Sequence, residues 1–282
     1  MRKLLYVCLA FAVLTPAAFG LDLDKLSPED HRLSRQIINK LQPLIQERDA
    51  RGDLATLTFA ELETPLTLKE KKFLRRFRRL DREKVGVRIP WRGLSTGVRD
   101  LVAIKGQKVR EGMKVRKDGK LETVRIDRTL PPQFLPSLVY QKYSAMMEVM
   151  EKDLGRRLYV ESGYRSSAFQ LYLFVYYLRN HKDSIRETAK FVALPGYSEH
   201  GAPDYQAIDF INRDGINGDP NVEEFEALPE YRWLVDHAHE FGFVLSYPKG
   251  RGAGITYEPW HWRYDPKAAE ARAQALAVKR KP

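Results

Sequence analysis

An acidic residue inside an apolar run places the strongest constraint on how this chain folds. Ala207-Ile208-Asp209-Phe210 lies in a stretch, residues 206–212, whose composition predicts a β-strand. A carboxylate held between Ile208 and Phe210 is costly to bury unless it meets a cation or hydrogen-bond donors. We therefore expect the fold to bring positive or metal-binding groups to Asp209.

Two of the histidines stand in surroundings that suit such a partner. His200 lies in Pro195-Gly196-Tyr197-Ser198-Glu199-His200-Gly201, a loop just before the strand, and His261 lies in the aromatic segment Tyr257-Glu258-Pro259-Trp260-His261-Trp262-Arg263-Tyr264. The other four are His31, His181, His237 and His239. The last two are two positions apart on a predicted helix and face different ways. His31 and His181 are predicted to lie at the surface.

Two imidazoles and one carboxylate form a sound zinc site with a fourth position left for water. Zinc lowers the pKa of such a water to about 7. Glu258, three residues before His261 and separated from it by the rigid Pro259, is the candidate base that takes the water proton. The alternative for each histidine alone is a satisfied core or surface residue.

Arg165 is the candidate for binding a substrate carboxylate. It lies in Glu161-Ser162-Gly163-Tyr164-Arg165-Ser166, which is predicted to be a strand-to-helix turn. A guanidinium matches a carboxylate with two parallel hydrogen bonds. A surface salt bridge is the alternative.

The first twenty residues have the layout of a secretory signal peptide. Arg2 and Lys3 precede an apolar run, residues 4–14, and a small-residue stretch that ends at Gly20. An uncleaved anchor is the alternative. The only cysteine, Cys8, lies in this segment, so the rest of the chain can hold neither a cysteine nucleophile nor a thiolate zinc site. We expect an exported protein of the periplasm or cell envelope.

The formal net charge of +11 favours contact with polyanions. A predicted helix over residues 69–82 has a strongly basic face, with nine Lys and Arg residues between Lys69 and Lys84. A solvated helix face is the favoured interpretation, and an anionic wall or membrane surface is the alternative partner. Charge alone also allows nucleic acid, but export argues against it.

Helices and short strands joined by glycine-containing links predict an α+β fold, a small antiparallel sheet backed by helices with an N-terminal extension. We divide the chain into a signal peptide (1–20), an accessory region (21–130), a peptidase domain (131–266) and a basic tail (267–282). In the accessory region, Pro43 is expected to bend or end the first helix. Residues 85–126 are interpreted as short strands and turns.

Four motifs in the second half resemble the VanY-type D-alanyl-D-alanine carboxypeptidases, within a wider group of zinc D,D- and L,D-carboxypeptidases. They are Ser162-Gly163-Tyr164-Arg165-Ser166 with Gln170, Pro195-Gly196-Tyr197-Ser198-Glu199-His200, Ala207-Ile208-Asp209 and Glu258-Pro259-Trp260-His261. The resemblance covers roughly residues 133–266, and residues 233–248 also look like this family.

The resemblance implies a zinc site formed by His200, Asp209 and His261, with Glu258 as the catalytic base. It implies that Arg165 holds the substrate and polarises the scissile carbonyl, and that Ser198 and Gln170 line the substrate site. The spacing between His200 and Asp209, eight residues from Gly201 to Ile208, is longer than the family usually has. This insertion makes Asp204 a rival metal ligand.

The expected function is hydrolysis of the terminal D-alanine from peptidoglycan stem peptides by an exported zinc metalloprotease. D-alanine as the leaving residue follows from the resemblance alone. A peptidoglycan endopeptidase and a non-catalytic cell-wall-binding module remain alternatives, and whether the specificity is D,D or L,D stays open.

Overall fold

The computed structural model describes residues 20–87, 100–117, 120–202, 205–218, 222–250 and 256–279. Residues 1–19 of the predicted signal peptide, and Asp204, lie outside these ranges. The helices are α1 (Pro28–Arg51), α2 (Phe59–Glu63), α3 (Leu68–Phe77), α4 (Arg82–Val85), α5 (Ser137–Leu154), α6 (Ser167–Tyr177), α7 (Ile185–Thr188), α8 (Val222–Glu226), α9 (Pro229–His237) and α10 (Pro266–Lys279). The strands are β1 (Leu101–Ile104), β2 (Lys108–Lys117), β3 (Lys120–Thr129), β4 (Gln133–Pro136), β5 (Tyr159–Ser162), β6 (Ala207–Ile211), β7 (Phe243–Leu245) and β8 (His261–Tyr264).

The central sheet has four antiparallel strands in the order β5-β6-β8-β7. One of its faces is covered by α5 and α9, whose buried residues share a core with Phe210 on β6 and Trp262 on β8. The Tyr143 ring of α5 stacks on Phe210 with 6.1 Å between centroids. This mixture of helices and small antiparallel sheets confirms the predicted fold class.

The N-terminal helices pack on the same helix, α6, that follows the Arg165 turn. Their apolar residues and those of α6 form one core, in which Phe77 and Phe174 lie 6.3 Å apart between ring centroids. In addition, β1, which belongs to the accessory region (21–130), pairs with β4, which belongs to the predicted peptidase domain (131–266). The accessory region therefore shares its packing with the part of the chain that carries the four motifs.

The expectation for Pro43 was wrong in one respect, because α1 continues through it to Arg51. Proline removes one helix hydrogen bond, the one that the carbonyl of Asn39 would accept. Asn39 and Pro43 lie on the exposed side of α1, where water can bind that carbonyl. The buried stripe on the other side, which includes Leu41 and Ile45, continues past the proline and keeps the helix packed.

Residues 108–129 form a longer structure than the expected short strands. β2 and β3 pair over ten residues each in a single antiparallel hairpin. Its base is fixed by the buried Val109 and by the backbone N–H of Arg110, which donates to the Arg213 carbonyl at 2.7 Å. Among the described residues, no helix combines the length and apolarity needed to cross a membrane.

Candidate metal centre

Asp209 and His261 are brought together by strand pairing. Asp209 lies in the middle of β6 and His261 is the first residue of β8, and the two are directly opposed in the antiparallel register. On its other side Asp209 faces Ser162 of β5, next to an irregularity in that strand. The carboxylate that the sequence placed among apolar residues thus lies at the end of the sheet where three strands meet.

His200 reaches the same point from a short 3-10 turn, Glu199–Gly201. The turn is fixed against the Arg165 backbone, whose N–H donates to the carbonyl of His200 at 3.0 Å. Gly201 allows this contact, since a Cβ there would lie 2.6 Å from the Arg165 carbonyl oxygen. The two loops that carry His200 and Arg165 are therefore held in direct backbone contact.

The donor atoms of the three predicted ligands converge. Oδ2 of Asp209 lies 3.1 Å from Nε2 of His200, and Oδ1 lies 2.9 Å from Nδ1 of His261. One donor atom from each residue lies within 4.8 Å of the others. The two imidazole rings are nearly perpendicular, at 87°. This arrangement places three metal-binding atoms around one point.

The outer nitrogen of each imidazole has a protein partner. Nδ1 of His200 lies 2.8 Å from the carbonyl oxygen of Gly163, and Nε2 of His261 lies 3.2 Å from Oε2 of the buried Glu199. Because both partners are acceptors, each of these nitrogens carries the proton. With a metal bound, the nitrogens that face Asp209 would be the ones with a lone pair to offer, as metal-binding histidines require.

The electrostatics fit a cation at this point. Burial raises the pKa of Asp209, but His200 and His261 outweigh it and hold that pKa far below its usual range. Burial lowers the pKa of His200, whereas Asp209 and Glu199 raise the pKa of His261 to about 10 against the effect of burial. Within the part of the chain that the structure describes, Oδ1 of Asp209 is buried with no hydrogen-bond partner, although Nδ1 of His261 lies 2.9 Å away. Buried oxygen and nitrogen atoms that face each other in this way suit a shared divalent ion, which would displace a proton from His261.

Glu258 lies beside this cluster. Its Oε2 is 3.6 Å from Nδ1 of His261, and its side chain is 21% exposed. The backbone between them forms a tight turn in which the N–H of His261 donates to the Glu258 carbonyl at 3.1 Å. Pro259 is buried in this turn. The predicted base and the predicted ligand are thus directed at one place, with Glu258 open to a substrate.

Arg165 lies behind the metal-binding cluster with its guanidinium already oriented. It donates to Oε1 of Gln170 and to Oγ of Ser162, both at 3.0 Å. Burial lowers the pKa of Arg165, and the negative charges of Asp209 and Glu258 oppose that effect. Gln170, 2% exposed, also donates to the Ala193 carbonyl at 2.7 Å. Gln170 therefore contacts Arg165 directly and is placed to orient it.

A cavity of about 780 Å³ opens over these residues. Its lining includes Arg165, Ser198, His200, Asp209, Glu258 and His261. Two further members were not assigned a role from the sequence, Glu199 and Tyr247. The Tyr247 ring lies 4.8 Å from His261, and burial raises the pKa of its hydroxyl well above the usual value. Both belong to segments that resemble the family, but nothing in their residue type separates them from ordinary core positions.

These features define a candidate three-ligand metal centre at one end of a small antiparallel sheet, with a carboxylate and an arginine beside it. Residues 133–267 match the family model of the D-alanyl-D-alanine carboxypeptidase VanY. This match confirms the resemblance seen in the sequence for these residues.

Individual relatives agree with the family match. The chain is 30% identical over 136 residues to a D-alanyl-D-alanine carboxypeptidase of Enterococcus faecium, which covers 46% of this chain and 37% of that protein. It is 35% identical over 117 residues to the bifunctional D-Ala-D-Ala dipeptidase and carboxypeptidase VanXYC of Enterococcus gallinarum. This match covers 41% of this chain and 57% of that protein. The chain thus spans less than two thirds of the length of these relatives.

Among solved structures, the LdcB LD-carboxypeptidase is similar with a TM-score of 0.45 and 28% identity, covering 61% of this chain and 71% of that one. A D,D-pentapeptidase VanY solved in complex with Zn(II) is similar with a TM-score of 0.39 and 28% sequence identity. The match covers 49% of this chain and 78% of that one.

Proposed function

We propose that this chain is an exported zinc metallopeptidase that removes the terminal D-amino acid, D-alanine, from peptidoglycan stem peptides. The observation that carries the proposal is the convergence of donor atoms from His200, Asp209 and His261 within 4.8 Å of one another. The family of residues 133–267 supports the substrate class.

Each residue of the site has a task in this reaction. His200, Asp209 and His261 hold the zinc ion, which supplies Lewis-acid activation of water and of the scissile carbonyl. Glu258, partly exposed beside His261, accepts a proton from the attacking water and delivers it to the leaving amine. The carboxylate then returns to its starting state, so one water is consumed for each peptide bond.

The substrate carboxylate is bound by Arg165. Its guanidinium is held by hydrogen bonds to Ser162 and Gln170, so the side chain is already oriented when the substrate binds. Ser198 lines the cavity on the His200 side and offers a hydroxyl to the peptide backbone. Gln170 acts through Arg165, because its side chain is almost completely buried.

Mass spectrometry of purified muropeptides tests the proposal directly. The zinc-loaded protein should shorten pentapeptide or tetrapeptide stems by one D-alanine, and a chelator should stop the reaction until zinc is restored. Glu258→Ala should abolish turnover and leave the zinc content unchanged. Glu148→Ala, an exposed glutamate of α5, is the matched control.

Other products would identify the two alternatives. Release of a fragment larger than one residue would make the protein an endopeptidase, and the cavity volume of about 780 Å³ is the observation that favours this variant. Binding of wall material with no product at any zinc concentration would make it a non-catalytic wall-binding module.

Export and surface attachment complete the proposal. Residues 1–20 act as the secretory signal, and residues 131–266 form the catalytic domain. Contact with an anionic wall or membrane surface is the weaker element, since Lys69, Arg75 and Arg76 are paired with acidic residues of neighbouring segments. Sedimentation of the protein with isolated wall sacculi at increasing salt tests it: binding that does not weaken with salt would exclude an electrostatic attachment.

A further inference from the structure

One wall of the cavity over the metal-binding cluster is supplied by the N-terminal helical region. Asp49, Gly52, Leu54 and Ala55 line it together with His200, Asp209 and His261. These N-terminal residues belong to the end of α1 and to the turn that follows, outside the region matched by the family model. We call residues 52–57 the corner segment.

The corner segment is joined to the turn that carries Arg165. The backbone N–H of Ser166 donates to the carbonyl of Ala55 at 2.8 Å, and the Ser166 hydroxyl donates to the carbonyl of Leu57 at 2.6 Å. Leu57 is completely buried. A displacement of the corner segment would therefore move the residue next to Arg165.

A buried arginine makes the corner segment rigid from within. Arg48, 8% exposed, donates to the carbonyl of Asp53 at 3.1 Å, to Oγ1 of Thr56 at 3.1 Å and to Glu61 at 2.8 Å. A polar group buried with several partners fixes the loop that supplies them. The wall is thus formed before any ligand binds.

Close packing of Gly52 on Pro132 completes the wall. Gly52 ends α1 with a φ of 72°, and a Cβ at this position would lie 2.7 Å from Cγ of Pro132. Pro132 and Gln133 themselves line the cavity. Gly52 and Pro132 are consequently held in close contact at this wall of the cavity.

The cavity is larger than the scissile pair of residues needs. Its volume of about 780 Å³ lies in the range of pockets that enclose a drug-sized ligand, whereas the proposed reaction engages directly only the two residues at the cut bond. Leu54, Ala55 and Pro132 contribute apolar groups to its lining. Such a surface suits the backbone and the alkyl parts of the side chains of an extended peptide.

We infer that the corner segment is a substrate subsite that binds the part of the stem peptide remote from the scissile bond. The inference rests on the proposed function for the identity of the ligand. It gives residues 52–57 a direct role in choosing long stem peptides over short ones. Binding energy from this remote part is available to position the scissile bond at the metal centre.

Ala55→Trp tests the subsite, because an indole at this lining position would occupy the part of the cavity beside the corner segment. Ala50→Trp is the matched control, since Ala50 is exposed on the last turn of α1 and is not among the lining residues. Both variants are compared with the wild type for zinc content, for hydrolysis of a disaccharide pentapeptide and for hydrolysis of N-acetyl-D-Ala-D-Ala.

We expect Ala55→Trp to lower kcat/KM for the disaccharide pentapeptide at least tenfold, through KM, and to change the value for N-acetyl-D-Ala-D-Ala less than twofold. Ala50→Trp should change neither. Equal losses on both substrates, or no loss on either, would overturn the inference. Unchanged zinc content and thermal unfolding in Ala55→Trp separate blockage from misfolding.

A binding measurement separates this inference from the proposed function. Titration of the zinc-loaded wild type and of Ala55→Trp with the disaccharide pentapeptide, followed by calorimetry, requires no turnover. Weaker binding to Ala55→Trp in a protein that hydrolyses nothing would preserve the subsite and reject the peptidase. Normal hydrolysis and binding by Ala55→Trp would preserve the peptidase and reject the subsite, and a wild type that neither binds nor hydrolyses would reject both.

Discussion

Glu199 and His261 are joined on the side of the imidazole that faces away from Asp209. Oε2 of Glu199 lies 3.2 Å from Nε2 of His261, and Glu199 is 6% exposed. The same ring turns Nδ1 toward Asp209 at 2.9 Å. A carboxylate in this position fixes both the tautomer and the orientation of a ligating histidine and raises its basicity.

Replacement of Glu199 should therefore weaken zinc binding without removing a ligand. We expect Glu199→Ala to lower zinc affinity by about 10- to 100-fold. Glu199→Gln should lie between Ala and the wild type, because the amide oxygen still accepts the proton but carries no charge. Competition with a chromophoric chelator measures the three affinities, and Glu187→Gln is a control on an exposed glutamate. Three equal affinities would show that Glu199 has no influence on the metal.

Asp209 should be indispensable for the metal, because it supplies the only carboxylate of the converging group. Asp209→Ala leaves two imidazoles, too few for a stable zinc site. We expect the purified variant to retain almost no zinc by mass spectrometry of the metal, while Asp236→Ala, on the exposed side of α9, keeps a full equivalent. Full zinc in Asp209→Ala would indicate another ligand, of which Asp204 is the first to test.

The strand pairing that unites Asp209 with His261 could be anticipated only in part. Because Asp209 lies among apolar residues, the sequence indicates that it needs a partner. His200 and His261 each lie in a distinctive motif. Which residues meet depends on register, and register is set by long-range pairing of β6 with β8, which no local pattern reports. The ligands were thus predicted as a set from residue chemistry and family resemblance, while their distances required the fold.

The role of Arg48 shows where sequence reasoning fails. In the sequence it is one basic residue among many near the end of α1. In the structure it is buried and binds three groups of the corner segment and α2. Burial of a charged residue depends on partners that are brought together by tertiary packing, so its composition and spacing carry no signal.

Glu70 provides a test of stability that is independent of the metal centre. It is 2% exposed, lies 2.7 Å from Nζ of Lys40 and accepts the Thr67 N–H at 2.8 Å in the capping box of α3. Burial raises the pKa of Glu70, but Lys40 and Thr67 outweigh burial and leave that pKa below its usual value. Its ionised form therefore stabilises the fold above the unfolded-state pKa of about 4.3, and that contribution is lost as the pH falls through the lower folded-state value.

We expect Glu70→Gln to lower the free energy of unfolding by about 1 kcal/mol at pH 7 and by less as the pH approaches 3. Urea unfolding at pH 7, 5 and 3 in the presence of a chelator measures the difference, since metal binding then contributes at none of the three values. A difference that stays constant with pH would contradict an ionised Glu70 as the source of the stability.

Arg165 should determine whether the substrate must end in a free carboxylate. The wild type is expected to hydrolyse a peptide with a free C-terminus far better than the same peptide with a C-terminal amide. Arg165→Lys keeps the positive charge but cannot form two parallel hydrogen bonds, and it also loses the orienting contacts to Ser162 and Gln170. Loss of one charge-assisted hydrogen bond corresponds to about 10- to 100-fold in kcat/KM for the free carboxylate, with little change for the amide. Arg179→Lys, at an exposed arginine in the turn that follows α6, is the control. If the wild type cleaves both peptides equally well, Arg165 does not bind a terminal carboxylate, and the cleft accepts chains that continue past the cut bond.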